Sequence, residues 1–204
     1  MLKPLAYCCL LTIAGLLAAC SSTPSTDRPY LPVTLRQDSF SRTPGRDFDT
    51  LSIRRDAFSL LFDNQPYDGQ GQRYHAAHVV VATNPQALAG ITVGLKTQDS
   101  PYLEEGSGMA GTDLGYTSIL PDTEGQHYLY YDTPTDHRVE LLGTRPDGTR
   151  QLEWKISQVL VNEQDVPLAQ TRLRALYFAV FIDHNLNEVV EAGELAKLAV
   201  RFTD

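Results

Sequence analysis

Gln151-Leu152-Glu153-Trp154-Lys155-Ile156-Ser157 is the stretch on which the reading of the fold turns. Leu152, Trp154 and Ile156 alternate with Glu153, Lys155 and Ser157. A period of two places successive side chains on opposite faces of a strand, so this segment predicts a strand with one face in a core and one toward water. Just upstream, Thr144-Arg145-Pro146-Asp147-Gly148-Thr149 is a turn: proline presets one φ and glycine takes a left-handed position. Just downstream, Asn162-Glu163-Gln164-Asp165 makes another.

The same grammar extends in both directions. Leu173 to Ile182 is long and nearly all apolar, which suits a central strand, and apolar residues alternate again from Lys197 to Phe202. Toward the N-terminus, His127 to Tyr131, Arg138 to Leu142, Ala77 to Ala82 and Phe58 to Phe62 read as strands, with Ile91 to Leu95 a shorter candidate. Ahead of Phe58 the chain stays polar and proline-punctuated through Thr43-Pro44-Gly45. Roughly eight short strands between turn signals predict an all-β fold, an antiparallel β-sandwich in a single domain over residues 35–204. A short helix at Gln86 to Ala89 or Glu194 to Ala199 is compatible with that fold.

Residues 1–34 read differently. Lys3 gives a positive start, Leu10 to Leu17 form an apolar run too short to span a bilayer, and small residues follow. Leu17-Ala18-Ala19-Cys20 resembles the lipobox of bacterial lipoproteins. That resemblance implies a signal peptide over residues 1–19, lipidation of Cys20 and a mature N-terminus there. Burial of acyl chains contributes about 0.8 kcal/mol per CH2, so two or more chains anchor a protein firmly. Ser21-Ser22-Thr23-Pro24-Ser25-Thr26 has almost nothing to bury, and residues 20–34 read as the lipidated end and a flexible tether. Serine after the lipidated cysteine resembles outer-membrane sorting. The expected location is the bacterial cell envelope, lipid-anchored in the outer membrane and facing the periplasm or the cell surface.

All three cysteines, Cys8, Cys9 and Cys20, lie in the leader or at its end. The body therefore has no disulfide, thiolate metal site or cysteine nucleophile. The net charge of −8 leaves no basic face for nucleic acid, and Arg54-Arg55 is only a pair.

The segment after the central strand carries the most chemistry. Starting at Asp183, the first, third, fifth, seventh, ninth and twelfth places hold Asp183, Asn185, Asn187, the Val189 carbonyl, Glu191 and Glu194. Those are the places at which an EF-hand supplies oxygen to calcium, and the pattern resembles the calcium loops of EF-hands and dockerins over these residues. Glu188 departs from it, because the sixth place takes glycine for the sharp turn. With two asparagines among the ligands, the expected affinity is that of extracellular modules, about 10⁻⁴–10⁻³ M. The competing reading is a solvated hairpin in which the Asp and Asn side chains only stabilise the turn.

Other constellations are weaker. His75 and His78 are spaced for one face of a helix, but Val79-Val80-Val81 favours a strand, and no further zinc ligands stand nearby. Gly106-Ser107-Gly108-Met109-Ala110-Gly111 matches a dinucleotide fingerprint in letters only, lacking the flanking strand and helix. Tyr128 and Tyr130 share a strand face suited to stacking on a sugar or a protein partner. Two classes of function follow. One is a lipid-anchored binding or structural module of the envelope, stabilised by calcium, with an envelope protein or glycan as partner. The other is an envelope hydrolase with a carboxylate and histidine site that the sequence does not pair.

Overall fold

The computed structural model describes residues 30–64, 77–100, 119–120, 128–129, 139–161 and 164–204. In chain order the strands are β1 (Val33–Gln37), β2 (Phe40–Arg42), β3 (Asp49–Arg54), β4 (Phe58–Asn64), β5 (Ala77–Ala82), β6 (Ile119–Leu120) and β7 (Tyr128–Leu129). They continue as β8 (Val139–Thr144), β9 (Arg150–Ile156), β10 (Gln158–Val161), β11 (Gln164–Pro167), β12 (Ala175–Phe181) and β13 (Leu195–Thr203). One five-stranded sheet runs β2-β1-β4-β9-β8 and is antiparallel throughout. A second runs β3-β13-β12-β5-β7, and β11-β10-β6 form a small third sheet whose Val159 packs into the common core. The architecture is the expected all-β sandwich, with one departure from pure antiparallel pairing: β3 and β13 run parallel, from Leu198 beside Asp49 to Thr203 beside Arg54. Strands far apart in sequence pair in that direction without a hairpin, and short-range turn signals cannot reveal it.

The opening stretch is β9, and Leu152, Trp154 and Ile156 are buried as the alternation requires. They meet side chains from the opposite sheet. The Trp154 and Phe178 rings stand edge-on with centroids 6.1 Å apart, and Phe58 meets Phe178 the same way at 6.0 Å. Each such large apolar side chain contributes about 1.5–3 kcal/mol by leaving water. Glu153 does not reach water as the alternation predicts. It is only 3% exposed, lying beneath the Arg36 side chain of β1, whose guanidinium donates to Glu153 Oε1. Burial by itself raises the Glu153 carboxyl, but hydrogen bonds from Ser59 and Arg36 and the nearby charges of Arg36 and Lys155 bring it below the ordinary glutamate range.

The near-continuous apolar run becomes β12, between β13 and β5. Its length of apolar sequence has a direct cause: both faces are covered. Leu176, Phe178 and Val180 belong to the core between the sheets. Ala179 and Phe181 point the other way, into a second apolar layer with Val80, Leu88, Ile91, Val190 and Leu195. That outer layer is built by two excursions, residues 83–100 after β5 and residues 183–194 after β12. Ile91 to Leu95 is therefore not a strand: Ile91 is a buried plug of the outer layer, followed by turns. Pro85–Leu88 is a single 3-10 turn whose Asn84 Oδ1 accepts from the Gln86 amide at 2.9 Å. The segment from Glu194 to Ala199 is the start of β13, not a helix.

The N-terminal end of the body holds more structure than its polar character suggests. Leu31, Val33 and Leu35 are buried, alternating with Pro32, Thr34 and Arg36, and Leu51 and Ile53 repeat the pattern in β3. The period-two signal is present in pieces of three to five residues, each too short to stand out among prolines and turn residues. Leu31 and Val33 thus lie inside the core although the sequence reading places them in the tether.

Candidate functional site

Residues 183–194 connect two neighbouring antiparallel strands, β12 and β13, yet span far more chain than a tight hairpin needs. Side-chain acceptors organise the excess. The Asp183 carboxylate accepts from the Asn187 amide at 3.2 Å and the Glu188 amide at 2.8 Å. Asn185 Oδ1 accepts from the Asn187 amide at 3.1 Å, and Asn187 Oδ1 from the Val189 amide at 2.8 Å. These local bonds wind the chain around Asp183. Two non-glycine residues adopt the left-handed conformation in doing so, Leu186 at φ 58° and Glu188 at φ 61°. The second is the place at which the calcium-loop pattern takes glycine. Glu188 thus adopts the turn conformation that its side chain disfavours.

The two late glutamates have separate partners. Glu191 accepts from the side-chain amides of Asn185 at 2.8 Å and Asn187 at 3.1 Å. Glu194, only 4% exposed, accepts from the His184 amide at 2.9 Å and from the Glu191 amide at 3.0 Å. Burial pushes the Glu194 carboxyl above the ordinary glutamate range; the two backbone amides oppose the shift, and the charges of Asp183 and Glu191 reinforce it. Two observations distinguish this segment from a free polar turn. It places Val190 in the outer apolar layer. It is also tied to the other excursion through Gly94 N–H to the Val190 carbonyl (2.8 Å), Val190 N–H to the Leu95 carbonyl (2.8 Å) and Thr97 N–H to the Glu188 carbonyl (2.9 Å).

All six oxygen donors named from the sequence, Asp183, Asn185, Asn187, Val189, Glu191 and Glu194, therefore lie in one wound loop. The side chains of Asp183, Asn185, Asn187, Glu191 and Glu194 are engaged with one another and with the backbone. Among the described residues, no three His, Cys, Asp or Glu side chains are gathered closely enough to hold a metal ion. The donor set is all hard oxygen, which is the chemistry calcium takes.

The remaining candidates are scattered. Cys20, His75, Tyr130 and the glycine-rich segment 106–111 lie outside the described residues. Tyr128 is in β7, opposite His78 of β5, and the His78 ring meets Phe181 edge-on at 5.4 Å. Sequence reasoning missed Lys197. It stands in an alternating apolar strand, where a lysine ordinarily marks the wet face, but both faces of this sheet are covered and Lys197 is 5% exposed. No family model, curated protein or solved structure matches the chain.

Proposed function

We propose that the protein is a lipid-anchored module of the bacterial cell envelope. It is held to the outer membrane through Cys20, serves a binding or structural role toward an envelope protein or glycan, and is stabilised by calcium in the loop 183–194. The anchor rests on Leu17-Ala18-Ala19-Cys20 and the polar tract behind it. The observation that carries the calcium reading is the left-handed backbone at Glu188, φ 61°, at the sixth place of the pattern. The departure from glycine there changes the cost of the turn, not its shape. Asp183, Asn185, Asn187, the Val189 carbonyl, Glu191 and Glu194 are the residues that would hold the ion. Calcium would offset the mutual repulsion of three carboxylates, one of them buried, and its role is structural.

A melting titration tests the calcium reading. An ion that binds only the folded form stabilises it by about 2.7 kcal/mol at a hundredfold excess over the dissociation constant. Calcium taken into the millimolar range should raise the melting temperature beyond magnesium at equal ionic strength, and Glu194→Gln should remove most of the rise. A melting temperature indifferent to calcium, both in the natural chain and in Glu188→Gly, would reduce the loop to a polar connection. The anchor has its own test: Cys20→Ala should abolish lipid labelling and membrane partition, and a variant that still carries label refutes it.

A further inference from the structure

Arg54-Arg55 is only a pair in the sequence, but the fold brings further arginines to it at the end of β13. Thr203 is the register partner of Arg54, and the Arg55 N–H donates to the Thr203 carbonyl at 3.2 Å. Arg201, just before it on β13, lies opposite Ala175, and the Phe202 N–H donates to the Arg174 carbonyl at 2.9 Å. The Arg55 side chain closes the group: its Nε donates to the Leu173 carbonyl at 3.1 Å, between Arg172 and Arg174. Arg54, Arg55, Arg172, Arg174 and Arg201 thus share one end of the sandwich, although they come from separate parts of a chain with net charge −8.

The acids beside them are fewer. Asp38 pairs with Arg54, and Asp204 with Arg55 at 2.7 Å. Asp56 Oδ1 accepts from the Ala57 amide at 2.8 Å. Arg172, Arg174 and Arg201 are exposed, and among the described residues they make no ion pair. Arg46 and Lys96 are also exposed and unpaired, but elsewhere. Arg46 lies ahead of β3, at the end away from Arg54, where its carbonyl accepts from the Asp49 amide at 3.2 Å; Lys96 bridges to Val189. Gathering, not the lack of an ion pair, sets the arginine end apart. Within it, Arg172 and Arg174 alternate with the buried Thr171 and Leu173, so both stand clear of the core with one residue between them.

We propose that this end of the sandwich docks an extended acidic segment of a partner protein, with carboxylates on alternate residues. An extended chain repeats every second residue at about 7 Å, the spacing that Arg172 and Arg174 present, and guanidinium takes carboxylate in a planar, two-bond fit. The interleaved carboxylates of Asp38, Asp56 and Asp204 disfavour a polymer charged at every unit, such as a polyphosphate. The chain enters the fold at the other end of β13, where the Leu31 N–H donates to the Leu195 carbonyl at 3.0 Å. The length of β13 puts about 27 Å between that point and the arginines. With the anchor at Cys20, they stand on the side away from the membrane that holds the protein. The inference deepens the binding role proposed above and rests on it for the kind of partner; the docking surface itself is independent of the anchor and of the calcium loop.

The mature chain in nonionic detergent provides the test, with a synthetic peptide of alternating glutamate and serine as the probe. In nuclear magnetic resonance spectra the amides of Leu173, Ala175, Arg201 and Thr203 should shift saturably, and anisotropy of the fluorescently labelled peptide gives its dissociation constant. A peptide of the same composition with its glutamates in one block should bind more weakly. Salt at about 1 M, where the screening length falls to about 3 Å, should abolish binding. Arg172→Gln, Arg174→Gln and Arg201→Gln, all at exposed side chains, should each weaken it about two- to fivefold, and the three together at least about tenfold. Arg46→Gln and Lys96→Gln remove the same charge elsewhere and should leave it unchanged. The proposal is overturned if the shifts fall away from the arginine end, if the triple variant binds like the natural chain, or if the two controls weaken binding as much. It is also overturned if the blocked peptide, a polyphosphate or a polyuronate binds as tightly as the alternating peptide. Loss of lipid labelling at Cys20 would remove the anchor and leave this binding unchanged, so the two readings fail separately.

Discussion

Glu188→Gly should stabilise the domain, and Glu188→Ala should not. Glu188 holds φ at 61°, a conformation that costs an L-residue with a side chain about 1–2 kcal/mol. Glycine removes that cost but brings extra freedom to the unfolded chain, which takes back about 0.5–1 kcal/mol. The net gain is about 0.5–1 kcal/mol, or roughly 2 °C in melting temperature for a domain of this size. The bonds that fix the turn are made by the backbone, from Glu188 N–H to Asp183 Oδ2 and from Thr97 N–H to the Glu188 carbonyl, so glycine keeps both. Alanine is the comparison that isolates the effect. Both variants lose the glutamate side chain, its charge and its contacts, and only alanine retains the Cβ that disfavours positive φ. Urea denaturation with coincident circular dichroism and fluorescence gives the difference between them. If alanine equals or exceeds glycine, residue 188 is not left-handed, and the reading of the whole loop falls with it.

Further predictions concern the two buried features of β9. Glu153→Gln should cost about 1–2 kcal/mol near neutral pH, toward the low end for a charge-assisted bond because Arg36 is 41% exposed. The Glu153 carboxyl is held below its ordinary value, so its contribution is present above the ordinary glutamate pKa and disappears as pH falls through the lowered one. Urea midpoints of the natural chain and Glu153→Gln should therefore converge on acidification, and a gap that widens refutes the pairing. Trp154→Ala should cost about 3–5 kcal/mol, because it empties a site 1% exposed at the centre of the core. A loss under about 1 kcal/mol, read by far-ultraviolet circular dichroism in urea, would mean the two sheets do not meet there.

What could be read along the chain was whatever is encoded within a few residues. The strand at Leu152 to Ile156, the turn at Thr144 to Thr149 and the apolar run at Leu173 to Ile182 each carry their own period or turn chemistry. Together they were enough for an all-β sandwich. The candidate loop was legible for the same reason, since Asp183, Asn185, Asn187, Glu191 and Glu194 fall at fixed offsets in one short segment. The short strands β1 and β3 escaped because each offers only two or three alternations among prolines and polar residues, and β2 is exposed along its three residues.

The sequence by itself determined the strand periods, the turns, the cysteine-free body and the oxygen-rich spacing of residues 183–194, because each depends on neighbours along the chain. Tertiary structure alone decided the parallel pairing of β3 with β13, the burial of Glu153 beneath Arg36, and the enclosure of Glu194 and Lys197. It also decided that β12 is covered on its second face by two excursions joined through Gly94, Leu95 and Thr97. The physical reason is common to all of them. Whether a polar side chain meets water, a counter-charge or an aromatic ring depends on what the opposite surface brings to it, and that surface comes from residues tens to hundreds of positions away.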